Sequence, residues 1–204
     1  MELNNFTIGQ FKVNEYLIVL KPHDELVNKI KTIRDEFVEK FQTSSAHYLK
    51  PHIALVNFFG LEIGEERLIN RLVTISMGLI PVKIELKDFG SYPSHSIFIN
   101  VTSKLHLLSI VEQLKTAQSL LKLSKDNKPH FIEDPHILIS RRLKVWQYEQ
   151  GWLEFSHRHF TGRFIADSFL LLKRKATSNK AFQIVKRFEF QNLPVSTFQG
   201  KLFS

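Results

Sequence analysis

The chain has 204 residues, 43% of them hydrophobic and 24% charged, an ordinary globular mixture with length enough for a substantial core in one domain or two joined lobes. Cysteine is absent, which excludes disulfides, thiolate metal ligands and a cysteine nucleophile. The net charge of +8 fits a polyanionic partner such as RNA or a nucleotide phosphate as well as it fits plain solubility.

The longest apolar runs are too short to cross a bilayer, and MELNNFTIGQ lacks the pattern of a secretory leader, so no membrane association is expected and the cytoplasm is the default compartment. Residues 11–20, FKVNEYLIVL, read as a strand. Residues 22–41 read as a helix with Leu26, Ile30, Ile33, Phe37 and Phe41 at steps of three and four, opened by Pro22. HIALVNFF (52–59) reads as a second strand, residues 65–78 as a helix carrying Leu68, Leu72 and Ile75, and VKIELKDF (82–89) as a strand of period two. After the turn GSYPSHS the order recurs: a strand at 97–101, a helix at 104–123, the strand HILIS at 136–140, a short helix at 145–155, a strand at 163–175 and a last strand at 182–190 before an irregular tail.

Each half thus runs strand, helix, strand, helix, strand, with the middle strand entered by Pro-His, once at Pro51-His52 and again at Pro135-His136. The expected fold is a single bilobal α+β domain. Lobe one spans about residues 11–89 and lobe two about 97–175, and a pseudo-twofold axis brings the two Pro-His strands and antiparallel-rich sheets around one central cleft.

Alternation along a strand puts His52 on a face with Ala54, Val56 and Phe58, and His136 on a face with Leu138 and Ser140. Such histidines can be structural, each bonded to a turn. They can also be an acid–base pair, one imidazole neutral and the other protonated near pH 7, as phosphodiester cleavage requires of the groups flanking a phosphate. The other histidines show no metal-ligand spacing, and neither a metal nor an organic cofactor is expected.

PHIALVNFFG and PHILISRRL resemble the paired His-x-Thr/Ser-x motifs of the two-histidine phosphoesterase superfamily, which includes 2′-5′ RNA ligase-like proteins and 2′,3′-cyclic nucleotide phosphodiesterases. FGSYPSHSIFINV and FIADSFLLLKRK resemble that family's entry to its second lobe and its late strand. The resemblance implies metal-independent phosphoester chemistry with His52 and His136 as catalytic residues. RNA ends or small nucleotides with a phosphodiester would be the ligand, and no obligate protein partner is evident. The sequence departs from the family at the hydroxyl positions, which are Ala54 and Leu138 and cannot donate a hydrogen bond. Substitute binding groups could come from Ser140, Arg141, Arg142, Tyr92, His95 or His130, with Arg141 expected on the opposite face. Two functions remain open: a phosphoesterase weakened by the lost hydroxyls, and a non-catalytic RNA- or nucleotide-phosphate-binding module on the same fold. A purely structural role for the histidines is the third.

Overall fold

The computed structural model describes residues 7–8, 11–43, 50–178 and 180–194; the expected irregular tail, residues 191–204, is without regular structure as far as residue 194, and its remainder lies outside the described residues. The elements are β1 Thr7–Ile8, β2 Phe11–Leu20, α1 Asp24–Phe41, β3 Ile53–Leu61, α2 Glu65–Gly78, β4 Val82–Tyr92, β5 Ser96–Val101, α3 Lys104–Lys115, β6 His130–Phe131, β7 His136–Arg141, α4 Val145–Phe155, β8 Thr161–Ala166, β9 Ser168–Lys175 and β10 Gln183–Glu189. Among the described residues no helix is long and apolar enough to cross a membrane.

The strands form one antiparallel sheet in the order β10-β9-β2-β3-β7-β5-β4-β8, with β1 beside β2 and β6 beside β3. This is the expected α+β architecture, but its halves exchange strands. β4 pairs with β5 and β8 although it lies before residue 97, and β9 pairs with β2 although it lies after it. The expected single strand at 163–175 is two strands. The chain turns at Asp167, leaving β8 at one end of the strand order and starting β9 next to β2 on the other side. One residue bridges that step, so the sheet must curl enough to bring the end of edge strand β8 next to the start of β9, one strand in from the other edge.

Helix α1 begins at His23, whose ring nitrogen accepts the Leu26 amide, with Asp24 and Glu25 complementing the positive end of the helix dipole. It ends at Gln42 in the left-handed region, φ 50°. Its buried stripe is Leu26, Ile30, Arg34, Phe37 and Phe41; Ile33 is only partly buried, and an arginine holds the place between Ile30 and Phe37. The helix packs on β7, β8 and α4. Contact with α4 is close because Gly151 has no side chain: a Cβ there would meet the Phe37 ring at 2.9 Å. α3 stops at Lys115 rather than 123. Thr116 turns its hydroxyl back to the Gln113 carbonyl, and the next amides reach back only three residues, a tightened winding that still buries Ala117 and Leu121.

The main core fills one face of the sheet, where Tyr16, Ile18, Ile53, Leu55, Ile99, Ile137 and Ile139 meet Ile30, Leu72, Leu107 and Phe155 of the helices. The opposite face carries a small apolar patch of Leu17, Val19 and Leu172 with Ala54, Leu170 and Phe182. The two Pro-His strands meet on that face, the trough side, between the two halves of the sheet.

Candidate functional site

The two Pro-His strands are neighbours. Ile53 of β3 pairs with Ile137 of β7 in antiparallel register. Carried one residue either way, this register sets His52 opposite Leu138 and His136 opposite Ala54. The two histidines are therefore diagonal neighbours on one face, with Cα atoms roughly 7–8 Å apart. Each ring is held the same way. His52 Nδ1 lies 2.8 Å from the Lys50 carbonyl, and His136 Nδ1 lies 2.7 Å from the Asp134 carbonyl. A carbonyl only accepts, so Nδ1–H donates in both, leaving Nε2 of the neutral ring as the basic nitrogen.

Simple alternation fails a few residues further on, for the same reason in both strands. In β3 the pairing with β2 steps from Ala54 to Val56 while β2 steps from Val19 to Ile18, so Leu55 is an extra residue. In β7 the pairing with β5 steps from Leu138 to Ser140 while β5 steps from Phe98 to Ile97, so Ile139 is extra. These are β-bulges, each placing two successive residues on the core side. Val56 and Phe58 consequently belong to the core, not to the face of His52; Asn57 and Phe59 take that face. Ser140, expected on the face of His136 four residues along, points into the core and is 1% exposed. Arg141, expected on the opposite face, returns to the trough. The fifth residue after each histidine, Asn57 or Arg141, is thus the next polar group on the histidine face. Asn57 donates to Glu15, which also pairs with Arg174, and Arg174 lies over the Phe182 ring.

The two histidines differ in their surroundings. Phe98 packs against His136 at 4.5 Å between ring centres, and Tyr92 meets it edge-on at 5.6 Å. The Phe98 ring lies over Gly90, where a Cβ would come within 2.5 Å of it. Asp134, whose carbonyl holds His136, accepts hydrogen bonds from Tyr92 at 2.9 Å and Lys104 at 2.6 Å through its carboxylate. Burial pushes the His136 pKa below its ordinary value, while the Asp134 carbonyl and carboxylate pull it back up. Burial and the Asp134 carboxylate push the Tyr92 hydroxyl up to about 12. His52 faces cations instead. Burial, then the charges of Arg34 and Arg141, hold it at about 4 against the pull of the Lys50 carbonyl. Arg34 reaches the seam from α1 and donates Nε, at 2.8 Å, and a terminal amino group to the Leu138 carbonyl.

The remaining candidates divide. Ala54 and Leu138 are half-buried in the trough, each across from the other strand's histidine. Tyr92 is at the site. His130 pairs with Asn57 on the trough side and is exposed. His95 is exposed on the β4–β5 turn, where its backbone bonds Tyr92 and Leu143. Arg142 is exposed at φ 54° beyond β7. Sequence reasoning misses Arg34, Phe98, Lys104 and Asp134; the one visible signal is an arginine on the apolar stripe of α1. Among the described residues, no three histidine or carboxylate side chains gather as a metal site would require.

The family described as the 2′-5′ RNA ligase superfamily matches residues 22–178. Among solved structures, E. coli LigT in apo form is similar at TM-score 0.61 and 12% identity, over 88% of this chain and 98% of that one. TT0787 of Thermus thermophilus is similar at TM-score 0.61 and 11% identity, over 87% and 98% of the two chains. E. coli LigT complexed with 3′-AMP gives TM-score 0.56 and 13% identity over 88% and 98%. At these identities the likeness establishes a shared fold. No curated protein matches the chain.

Proposed function

From the premise that the chain belongs to the 2′-5′ RNA ligase superfamily, we propose that it is a phosphoesterase acting on 2′,3′-cyclic phosphate RNA ends or small nucleotide phosphodiesters through two-histidine general acid–base catalysis. The observation that carries this proposal is the shared register of the histidines: diagonal neighbours across the Ile53–Ile137 pair, each with Nδ1 tied to the carbonyl two residues before it. Similar proteins supply the ligand class, since E. coli LigT has been crystallised with 3′-AMP, with phosphate and with ATP.

The unequal surroundings divide the labour. His52, lowered by burial and then by the charges of Arg34 and Arg141, stays neutral and serves as base; His136, beside the Asp134 carboxylate, serves as acid. Nε2 of His52 takes a proton from water as the water oxygen bonds to phosphorus. The phosphorus–oxygen bond to one ribose oxygen breaks, and Nε2 of His136 protonates that oxygen. One water is consumed and a phosphomonoester results. Arg141, returned to the trough by the β7 bulge, binds the non-bridging phosphate oxygens as a charge-assisted donor where Ala54 and Leu138 offer none.

Those two apolar residues favour a second function on the same fold, a binding module that holds a nucleotide phosphate without turnover. Incubation with 2′,3′-cyclic AMP, followed by chromatography, separates the two. Product formation that His52→Ala and His136→Ala each abolish supports the enzyme. Salt-sensitive binding without product supports the module, and neither binding nor product defeats both.

A further inference from the structure

Arg34 is a charged residue where the helix pattern calls for an apolar one. It is 6% exposed between Ile30 at 0% and Phe37 at 1%, and burial lowers its own pKa to about 10. A guanidinium in such a place is costly, and an apolar side chain of similar volume there is often neutral or stabilising. What the charge does is visible at its tip. Two of its N–H groups go to the carbonyl of Leu138, the residue opposite His52 across the seam. The seam itself is thin, with Ile53–Ile137 the one residue pair between β3 and β7 among the described residues. Helix α1 precedes the first Pro-His strand in sequence but packs on the second, so one side chain spans the join.

Resting on the two-histidine site proposed above, we propose that Arg34 is a positioning residue. Its forked grip on the Leu138 carbonyl fixes the offset of β7 from β3, and with it the separation of His52 from His136, while its charge lies beneath the anion the trough receives. The groups that bear on His52 are then Arg34 from α1, Arg141 and His136 from β7, and the Lys50 carbonyl preceding its own strand. Asp35 is the charged neighbour that bears on Arg34 from its own helix.

The test uses the full chain with Arg34→Met, which keeps length and loses charge, and Arg34→Lys, which keeps charge and loses the fork. Three quantities are read: thermal midpoint, the titration of each imidazole by NMR without ligand, and the affinity for inorganic phosphate followed on the same imidazole signals. Arg34→Met is expected to leave the thermal midpoint near that of the parent, raise the His52 titration midpoint while moving His136 less, and weaken phosphate binding at least tenfold. Arg34→Lys is expected to keep the low His52 midpoint and to lower kcat at least tenfold with KM within threefold. The proposal is overturned if Arg34→Met merely lowers the thermal midpoint, with both imidazole titrations unchanged. Should Arg34→Met fail to fold, Arg34→Lys decides: parental kcat and parental imidazole titrations overturn the proposal, and the kcat loss supports it. If the parent chain neither binds phosphate nor turns over a cyclic nucleotide, the proposed function falls; the His52 titrations still test Arg34 separately.

Discussion

His52 stands opposite Leu138 and His136 opposite Ala54, both set by the single pairing of Ile53 with Ile137. Each imidazole thus has as its cross-strand neighbour the side chain that, in the related motif, would carry a hydroxyl.

Restoring that hydroxyl is the most direct probe. Ala54→Thr places a donor beside His136 in a half-buried position. One preorganised donor is worth about 10²–10³ in rate where it is native, so a grafted one is expected to raise kcat/KM for 2′,3′-cyclic AMP by about tenfold. A steady-state assay of the parent and Ala54→Thr checks it; an unchanged or lower value means the hydroxyl does not reach the phosphate.

In the proposed mechanism, removing either imidazole removes one proton transfer. His52→Ala and His136→Ala are each expected to lower kcat by about 10²–10⁴. The double variant should cost little more than the worse single one, since both groups serve one step. Losses that multiply in full would mean the two act independently.

The pH profile follows from the two environments. His52 stays unprotonated down to about pH 4 and His136 must keep its proton, which it loses below the ordinary histidine value of roughly 6.5. On the proposed roles, the profile of kcat/KM is therefore expected to be a bell with its acid limb near 4 and its alkaline limb below that ordinary value. Rate should fall steadily between pH 6.5 and 8, and a profile still rising across that interval would reverse or abolish the assigned roles.

Stability carries the same signature. The folded-state pKa of His52 is depressed, so its contribution is fully present above the unfolded value near 6.5 and is lost as pH falls from there towards about 4. The thermal midpoint is expected to decline over that window, and His52→Gln to flatten the decline. Equal slopes in the two proteins would mean His52 titrates normally.

Gly90 tests the support of His136. A methyl group there would come within 2.5 Å of both the Phe98 ring and the Asn100 side chain, so Phe98 must move from under His136. Gly90→Ala is expected to lower kcat by about tenfold or more, in keeping with the penalty for small misplacements of catalytic groups. The His136 imidazole signals should shift while those of His52 stay in place. Shifts of equal size at both would point to general loosening.

Much of this is legible from spacing. The strands and helices fall near their expected places because their apolar residues recur at two or at three and four. The paired Pro-His entries locate both histidines. What alternation cannot provide is the side of the sheet beyond each histidine. A bulge is a property of two paired strands; nothing in LVNF or ISRR marks Leu55 or Ile139 as the extra residue. That is why Ser140 and Arg141 exchange faces. The strand exchange is hidden for a similar reason: a tally of elements does not say which half of a repeat an end strand joins. Arg34 is the exception, marked by charge on an apolar stripe yet masked because Ile33 fits the same periodicity. Lys104 and Asp134 are ordinary loop and helix-end residues until folding brings them to Tyr92.

The turn at Asp167 has a mechanical result. Ala166 and Ser168 can be no more than about 7.6 Å apart, two Cα–Cα steps, yet they belong to strands from different halves of the sheet. Those halves are bound there like the boards of a book at its spine. The halves are held a second time at the Ile53–Ile137 pair, so any movement of one half against the other must strain one of these two joints.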